Sequence, residues 1–116
     1  MKRTDFAGAL YRYFRDYLVN DRGCSARTIE TYRYAFIQFI DYMENHLNIR
    51  PEKIELTHIN VQNLQSFLLW LEREKKVSTS TRNQRLAAFK SFSSFLKYDL
   101  PECLDNVIQI QNIKMK

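Results

Sequence analysis

The stretch from Ser25 to Asn45 reads SARTIETYRYAFIQFIDYMEN, and it decides the fold class. Ile29, Tyr32, Phe36, Phe39, Ile40 and Met43 recur at steps of three and four residues, so one face of a helix collects them. Arg27, Thr31, Tyr34 and Gln38 fall on the other side. Ser25 is a good N-cap, because its hydroxyl accepts from an amide that the first turn leaves unpaired. The spacing predicts a helix from Ser25 to about Asn45. Working upstream, Phe6, Leu10, Tyr13, Phe14, Tyr17 and Leu18 repeat the same steps and predict a helix from about Asp5 to Val19, with Asp5 as its cap. Between the two, Asn20-Asp21-Arg22-Gly23 reads as a turn, with Gly23 suited to positive φ.

Working downstream, Asn45 to Leu56 is a connector in which Pro51 pushes Arg50 to an extended conformation. A third helix is expected from Thr57, as cap, to about Glu74, with Val61, Leu64, Phe67, Leu68 and Leu71 as its stripe. Leu69 and Trp70 lie partly off that stripe, which predicts burial on more than one side. A fourth helix starts within Ser78-Thr79-Ser80-Thr81 and reaches about Tyr98. Leu86, Phe89, Phe92 and Leu96 face its core, and Asn83, Ala87, Lys90 and Ser94 face away. The apolar-polar tail after Asn106, with Val107, Ile108, Ile110 and Ile113, is expected to form a short helix or strand, or to lead into further chain. The division expected is a helical domain over 1–105 and a tail over 106–116.

Composition agrees with an all-α chain. It has 116 residues, 45% of them hydrophobic and 14% aromatic, with only two glycines and two prolines. Disorder is excluded by that apolar content, and sandwiches, barrels and glycine-loop nucleotide folds need more turn glycine. The size suits one domain and not a complete large enzyme. The net charge of +5 is modest, but its distribution is uneven. From Lys75 to Lys97 there is no acid, and Lys75, Lys76, Arg82, Arg85, Lys90 and Lys97 are all basic, which marks the stretch as a polyanion-facing surface. Cys24 and Cys103 lie far apart without metal-ligand spacing and read as reduced thiols of a cytoplasmic protein. No apolar run approaches a membrane span, and the N-terminus lacks the apolar stretch of a signal peptide.

The residues that carry catalysis elsewhere are sparse here. His46 and His58 have no partner at metal spacing, and there is no phosphate loop, no nucleophile elbow and no acid–base carboxylate pair. No cofactor and no metal are expected. Two helix starts are more informative: Gly23-Cys24-Ser25-Ala26-Arg27-Thr28-Ile29-Glu30-Thr31-Tyr32, and Ser78-Thr79-Ser80-Thr81-Arg82-Asn83-Gln84-Arg85-Leu86. Each gathers hydroxyls, arginine and amide side chains at the positive end of a helix dipole, a setting that suits phosphate. Behind them a Gln or Asn can reach adenine and an Arg guanine in a major groove. Ordinary capping on a solvated face explains the same residues. The residues alone also leave open a helical protein-interaction domain, with apolar surface near Trp70 or the 107–113 tail, and a helix-turn-helix regulator.

In the order and spacing of its motifs, the chain resembles the tyrosine recombinase (phage integrase) family. The resemblance runs through Arg22 to Tyr32 with Phe36 and Phe39, then Ile59 to Glu72, then Ser80 to Phe92 with Phe95-Leu96, and spans about Phe6 to Lys116. It implies the N-terminal core-binding, SAM-like domain of such an enzyme, a bundle of four main helices. It also implies double-stranded DNA as partner, a tetramer on DNA for the full-length protein, a monomer for the isolated domain, and a bacterial or phage cytoplasmic setting. Carried over by position, Ser25, Arg27, Thr28 and Thr31 match one DNA-contacting helix start, and Ser80, Thr81 and Gln84 the other. On that footing Ser25 and Thr81 bind phosphate, and Arg27 binds phosphate or guanine. Thr28 and Thr31 pack on backbone or a thymine methyl, and Gln84 reads a base edge with Asn83 as a second candidate. Lys75, Lys76, Arg82, Arg85 and Lys90 add a sequence-independent field. The family's nucleophilic tyrosine and its arginine, lysine and histidine assistants belong to a C-terminal domain, so no cleavage is expected from these 116 residues. Lys114-Met115-Lys116 resembles the start of an interdomain linker, which would make the chain part of a longer protein.

Overall fold

The computed structural model describes residues 4–116, apart from the side chains of residues 103 and 104. The expected free thiol of Cys103 lies outside that description, whereas Cys24 is a half-buried free thiol. The described residues form helices and turns without a strand, the all-α class that the periodicity predicts. Helix α1 spans Asp5–Arg12, α2 Ala26–Leu47, α3 Val61–Arg73, α4 Thr79–Asp99 and α5 Leu104–Gln111. The chain divides into two compact units, Met1–His58 and Ile59–Lys116.

In the first unit the cap of α1 is Thr4, whose hydroxyl accepts from the Ala7 amide at 3.2 Å. Asp5, the expected cap, is used elsewhere: its carboxylate accepts from the Leu56 amide at 2.8 Å and ties the helix start to the connector. The α-helix also stops earlier than its periodicity suggests. From Tyr13 to Asp21 the backbone widens to π-helical turns. Such turns bond residue i to i+5, so residues five apart share a side. Tyr13 and Leu18, five apart, are both fully buried. The widening therefore keeps an apolar face that a strict α-helix would rotate away. Gly23 follows at φ +58°, as expected.

Helix α2 starts as predicted, with the Ser25 hydroxyl accepting from the Thr28 amide. It runs two residues beyond Asn45 and ends at Asn48 in the left-handed conformation. Its stripe buries Phe36, Phe39 and Met43, with Ala35 and Tyr42 beside them. Tyr13 and Phe14 both meet Phe36 edge-on, at 6.0 and 5.8 Å. Arg50 before Pro51 is extended, with ψ 148°.

The third helix starts later than the sequence predicts. Thr57 lies in a 3-10 turn over Leu56–His58, and the cap of α3 is Asn60, which accepts from the Asn63 amide at 2.8 Å. Asn caps at least as well as Thr, and the later start leaves Ile59 outside the helix, where it is buried. Helix α3 buries Leu64, Phe67, Leu68 and Leu71. Leu69 is 42% exposed, so burial on more than one side does not occur. Helix α4 is capped by Ser78 and buries Leu86, Phe89, Phe92 and Leu96, with Phe89 edge-on to Phe67 at 5.9 Å. The tail forms α5, and Val107, Ile110 and Ile113 are buried while Ile108 is exposed. The Asn106 amide donates to the Ile59 carbonyl and pins α5 near the entry to α3.

Candidate nucleic-acid interface

Two helix starts, one in each unit, are built alike. At α2 the Ser25 hydroxyl accepts from the Thr28 amide and donates to the Thr28 hydroxyl, both at 3.1 Å. At α4 Ser78 makes the same pair of bonds to Thr81, again both at 3.1 Å. The cap satisfies the third amide of each helix; those before it have no intrahelical acceptor and aim outward at the positive end of the dipole. Counting from the caps, Arg27 and Ser80 occupy the second helical position, Thr28 and Thr81 the third, and Thr31 and Gln84 the sixth. Ser25, Arg27, Ser80 and Gln84 are exposed, and Thr28, Thr31 and Thr81 are half-buried. The Thr31 hydroxyl donates to the Arg27 carbonyl at 3.0 Å, which commits its polar end to the backbone and leaves its methyl as the free contact.

This register adds a residue that sequence reasoning passed over. Ser78, exposed, is the counterpart of Ser25, and Thr81 is the counterpart of Thr28. The shared Ser-x-x-Thr spacing carries the signal. Lys75 and Lys76 are both exposed just after α3. The Lys75 ammonium sits 5.2 Å from the centre of the Trp70 ring, and Lys76 turns the chain at φ +56°.

Four of the expected field or base-reading residues are placed otherwise. Arg82 and Arg85 are buried, at 7% and 9% exposure, and do not form part of a solvated field. Both lie on the side of α4 that carries Leu86 and Phe89, so their helical angle and not their charge decides their place. The Arg82 guanidinium lies 3.9 Å from the Glu72 carboxylate and donates to the Lys114 carbonyl at 3.2 Å. Asn83 and Lys90, expected to face away, are half-buried beneath the tail. The Asn83 amide donates to the Lys116 carbonyl at 2.9 Å and accepts from the Lys116 amide at 3.1 Å. The Lys90 ammonium donates to the Gln111 carbonyl at 3.1 Å, and the Gln111 side chain donates back to the Lys90 carbonyl at 2.6 Å and to Ser94 at 3.1 Å. The acid-free stretch is thus answered by Glu72, an acid from α3 that lies outside it in sequence. Glu72 also takes the Lys116 ammonium at 3.0 Å.

The histidines are engaged in local structure. His58 Nδ1 accepts from the Glu55 amide at 2.8 Å, and His46 stacks on Tyr42 with ring centres 5.1 Å apart. Among the described residues no group of three His, Cys, Asp or Glu side chains could hold a metal ion, and no helix is long and apolar enough to cross a membrane. A hydrogen bond from Arg15 holds Asp16 below the usual carboxylate range, and burial raises the Tyr32 phenol, with Cys24 adding to the rise. Glu55 is raised because its carboxyl hydrogen-bonds to that of Asp5 and is partly desolvated.

Comparison with known proteins places these elements in a lineage. Residues 12–99 match the model of the phage integrase, N-terminal SAM-like domain. A relative from Sinorhizobium fredii, named integrase/recombinase y4rC, is 30% identical over 112 residues, covering 97% of this chain and 33% of the relative. Tyrosine recombinases XerC of Herpetosiphon aurantiacus and a Roseiflexus species are 33% and 36% identical over 72% of this chain, and the match covers 26% and 25% of their own lengths. The chain spans between a quarter and a third of these relatives. No solved structure matches it.

Proposed function

Because the chain belongs to the phage integrase N-terminal SAM-like domain family, we propose that it is the DNA-binding domain of a longer site-specific recombinase. In this reading it seats that enzyme on duplex DNA and takes no part in strand cleavage, which belongs to sequence outside these residues. The observation that carries the reading is the repeated helix start. Two Ser-x-x-Thr caps with the same bonding each present outward amides, and the exposed Arg27 and Gln84 stand beside them. With the Ser25 and Ser78 hydrogens given to their threonine partners, the Thr81 hydroxyl and the unpaired amides near Ser25 and Ser78 suit phosphate oxygens. Arg27 suits phosphate or a guanine edge, the Thr28 and Thr31 methyls a sugar or thymine methyl, and Gln84 an adenine edge. Ser80, Lys75 and Lys76 add backbone contacts.

The test is a titration at low salt of two fluorescent probes, a random-sequence duplex pool and the duplex that the chain selects from that pool. Binding to neither would remove the reading. Gln84→Ala is expected to lower discrimination between the two duplexes by about 1–3 kcal/mol. An equal loss on both would refute base reading by Gln84. The protein-interaction alternative needs apolar surface at Trp70 or the tail. Lys75 lies against Trp70, and Val107, Ile110 and Ile113 are buried, so it draws less support.

A further inference from the structure

The segment after α5 lies along α4, held there through its backbone as well as through two of its side chains. Ile113 is buried and anchors it. Beyond that anchor, the Asn83 side chain pairs with both the N–H and the C=O of Lys116, as a neighbouring strand would. Arg82 takes the Lys114 carbonyl and also donates to Asn83 Oδ1 at 3.0 Å, which fixes the amide's orientation. Glu72 closes the arrangement by taking the Lys116 ammonium through both oxygens at 3.0 Å. Arg82 is buried, and its guanidinium loses the Lys114 carbonyl if the segment Asn112–Lys116 leaves.

We propose that Arg82, Asn83 and Glu72 form a latch whose occupant is the chain's own segment Asn112–Lys116. The latch holds that segment against the first turns of α4, near the start that carries Ser80, Thr81 and Gln84. Asn83 and Arg82 are then positioning residues for that segment and do not read DNA. The proposal stands on these bonds and does not require that the chain bind DNA.

Amide hydrogen exchange of the 116-residue chain, followed by NMR, tests it. The Lys116 amide should be protected in the unsubstituted chain. Asn83→Ala should speed its exchange about tenfold or more, the scale of losing two paired hydrogen bonds, and leave the amides of Phe89 and Phe92 unchanged. Asn83→Asp keeps the acceptor and should retain part of the protection. Trypsin cleavage after Lys114 should accelerate in Glu72→Gln and Asn83→Ala alike, while discrimination between duplexes stays as in the unsubstituted chain. An unprotected Lys116 amide, a uniform rise across α4, or cleavage that does not respond would each overturn the latch. A loss of duplex discrimination with Lys116 protection intact would return Asn83 to base reading.

Discussion

Replacing Arg27 with alanine should change the salt dependence of DNA binding by one phosphate contact and leave the fold intact. The sequence by itself offers six basic residues to DNA: Arg27, Lys75, Lys76, Arg82, Arg85 and Lys90. The structure lowers that count. Arg82 and Arg85 are buried, and Lys90 is bonded to the Gln111 carbonyl, so none of the three is a free surface cation. Of the basic residues proposed to meet DNA, Arg27, Lys75 and Lys76 are exposed. Three contacts give a slope of about −2.7, or about a 40-fold loss of affinity between 50 and 200 mM salt. Arg27→Ala should bring the slope to about −1.8 and the same loss to about 12-fold. Fluorescence anisotropy at four or five salt concentrations measures both slopes, and circular dichroism checks that the helices persist. A slope unchanged by Arg27→Ala would refute its phosphate role. A slope reduced by a full unit in Arg85→Met, with the fold intact, would refute the reasoning that burial removes a cation from the field.

Three further outcomes concern the scaffold. Phe89→Ala removes a fully buried ring that meets Phe67 edge-on, and should cost about 3–5 kcal/mol in urea unfolding. Ser78→Ala and Ser25→Ala each remove a cap and should cost about 1 kcal/mol apiece, with the loss at α4 accompanied by faster exchange of the Thr81 amide. Glu55 is raised from its ordinary 4.5, so the folded state holds its proton more tightly than the unfolded chain. Its contribution to stability is therefore present below the ordinary glutamate value and is lost as pH rises through the raised one. The urea midpoint of the unsubstituted chain should therefore fall relative to that of Glu55→Gln as pH rises through that window; a difference between the two that does not change with pH would show that the Asp5–Glu55 contact contributes nothing.

What the sequence alone determined was local. The three- and four-residue steps in Ser25–Asn45, and those leading to Phe89 and Leu96, identified α2 and α4 and their buried faces, because a helix brings such residues to one side whatever lies around it. Ser25 as cap, Gly23 at positive φ and Arg50 extended followed from stereochemistry within a few residues. The two hydroxyl-rich helix starts were legible for the same reason. The tertiary structure decided what depends on partners far along the chain. Asp5 is drawn from capping by an amide 51 residues away, and Asn83 is taken by a backbone 33 residues on. The widening at Tyr13 preserves a buried face, and the α3 start at Asn60 lets Ile59 turn inward. Arg82 and Arg85 count as charge in the sequence, but their angle on α4 places them under cover, and Glu72 answers Arg82 from another helix. A local window records which groups a segment offers. Which of them remain available to a ligand depends on what folds back over them, and in this chain the segment that follows α5 takes two of the residues that the sequence had offered to DNA.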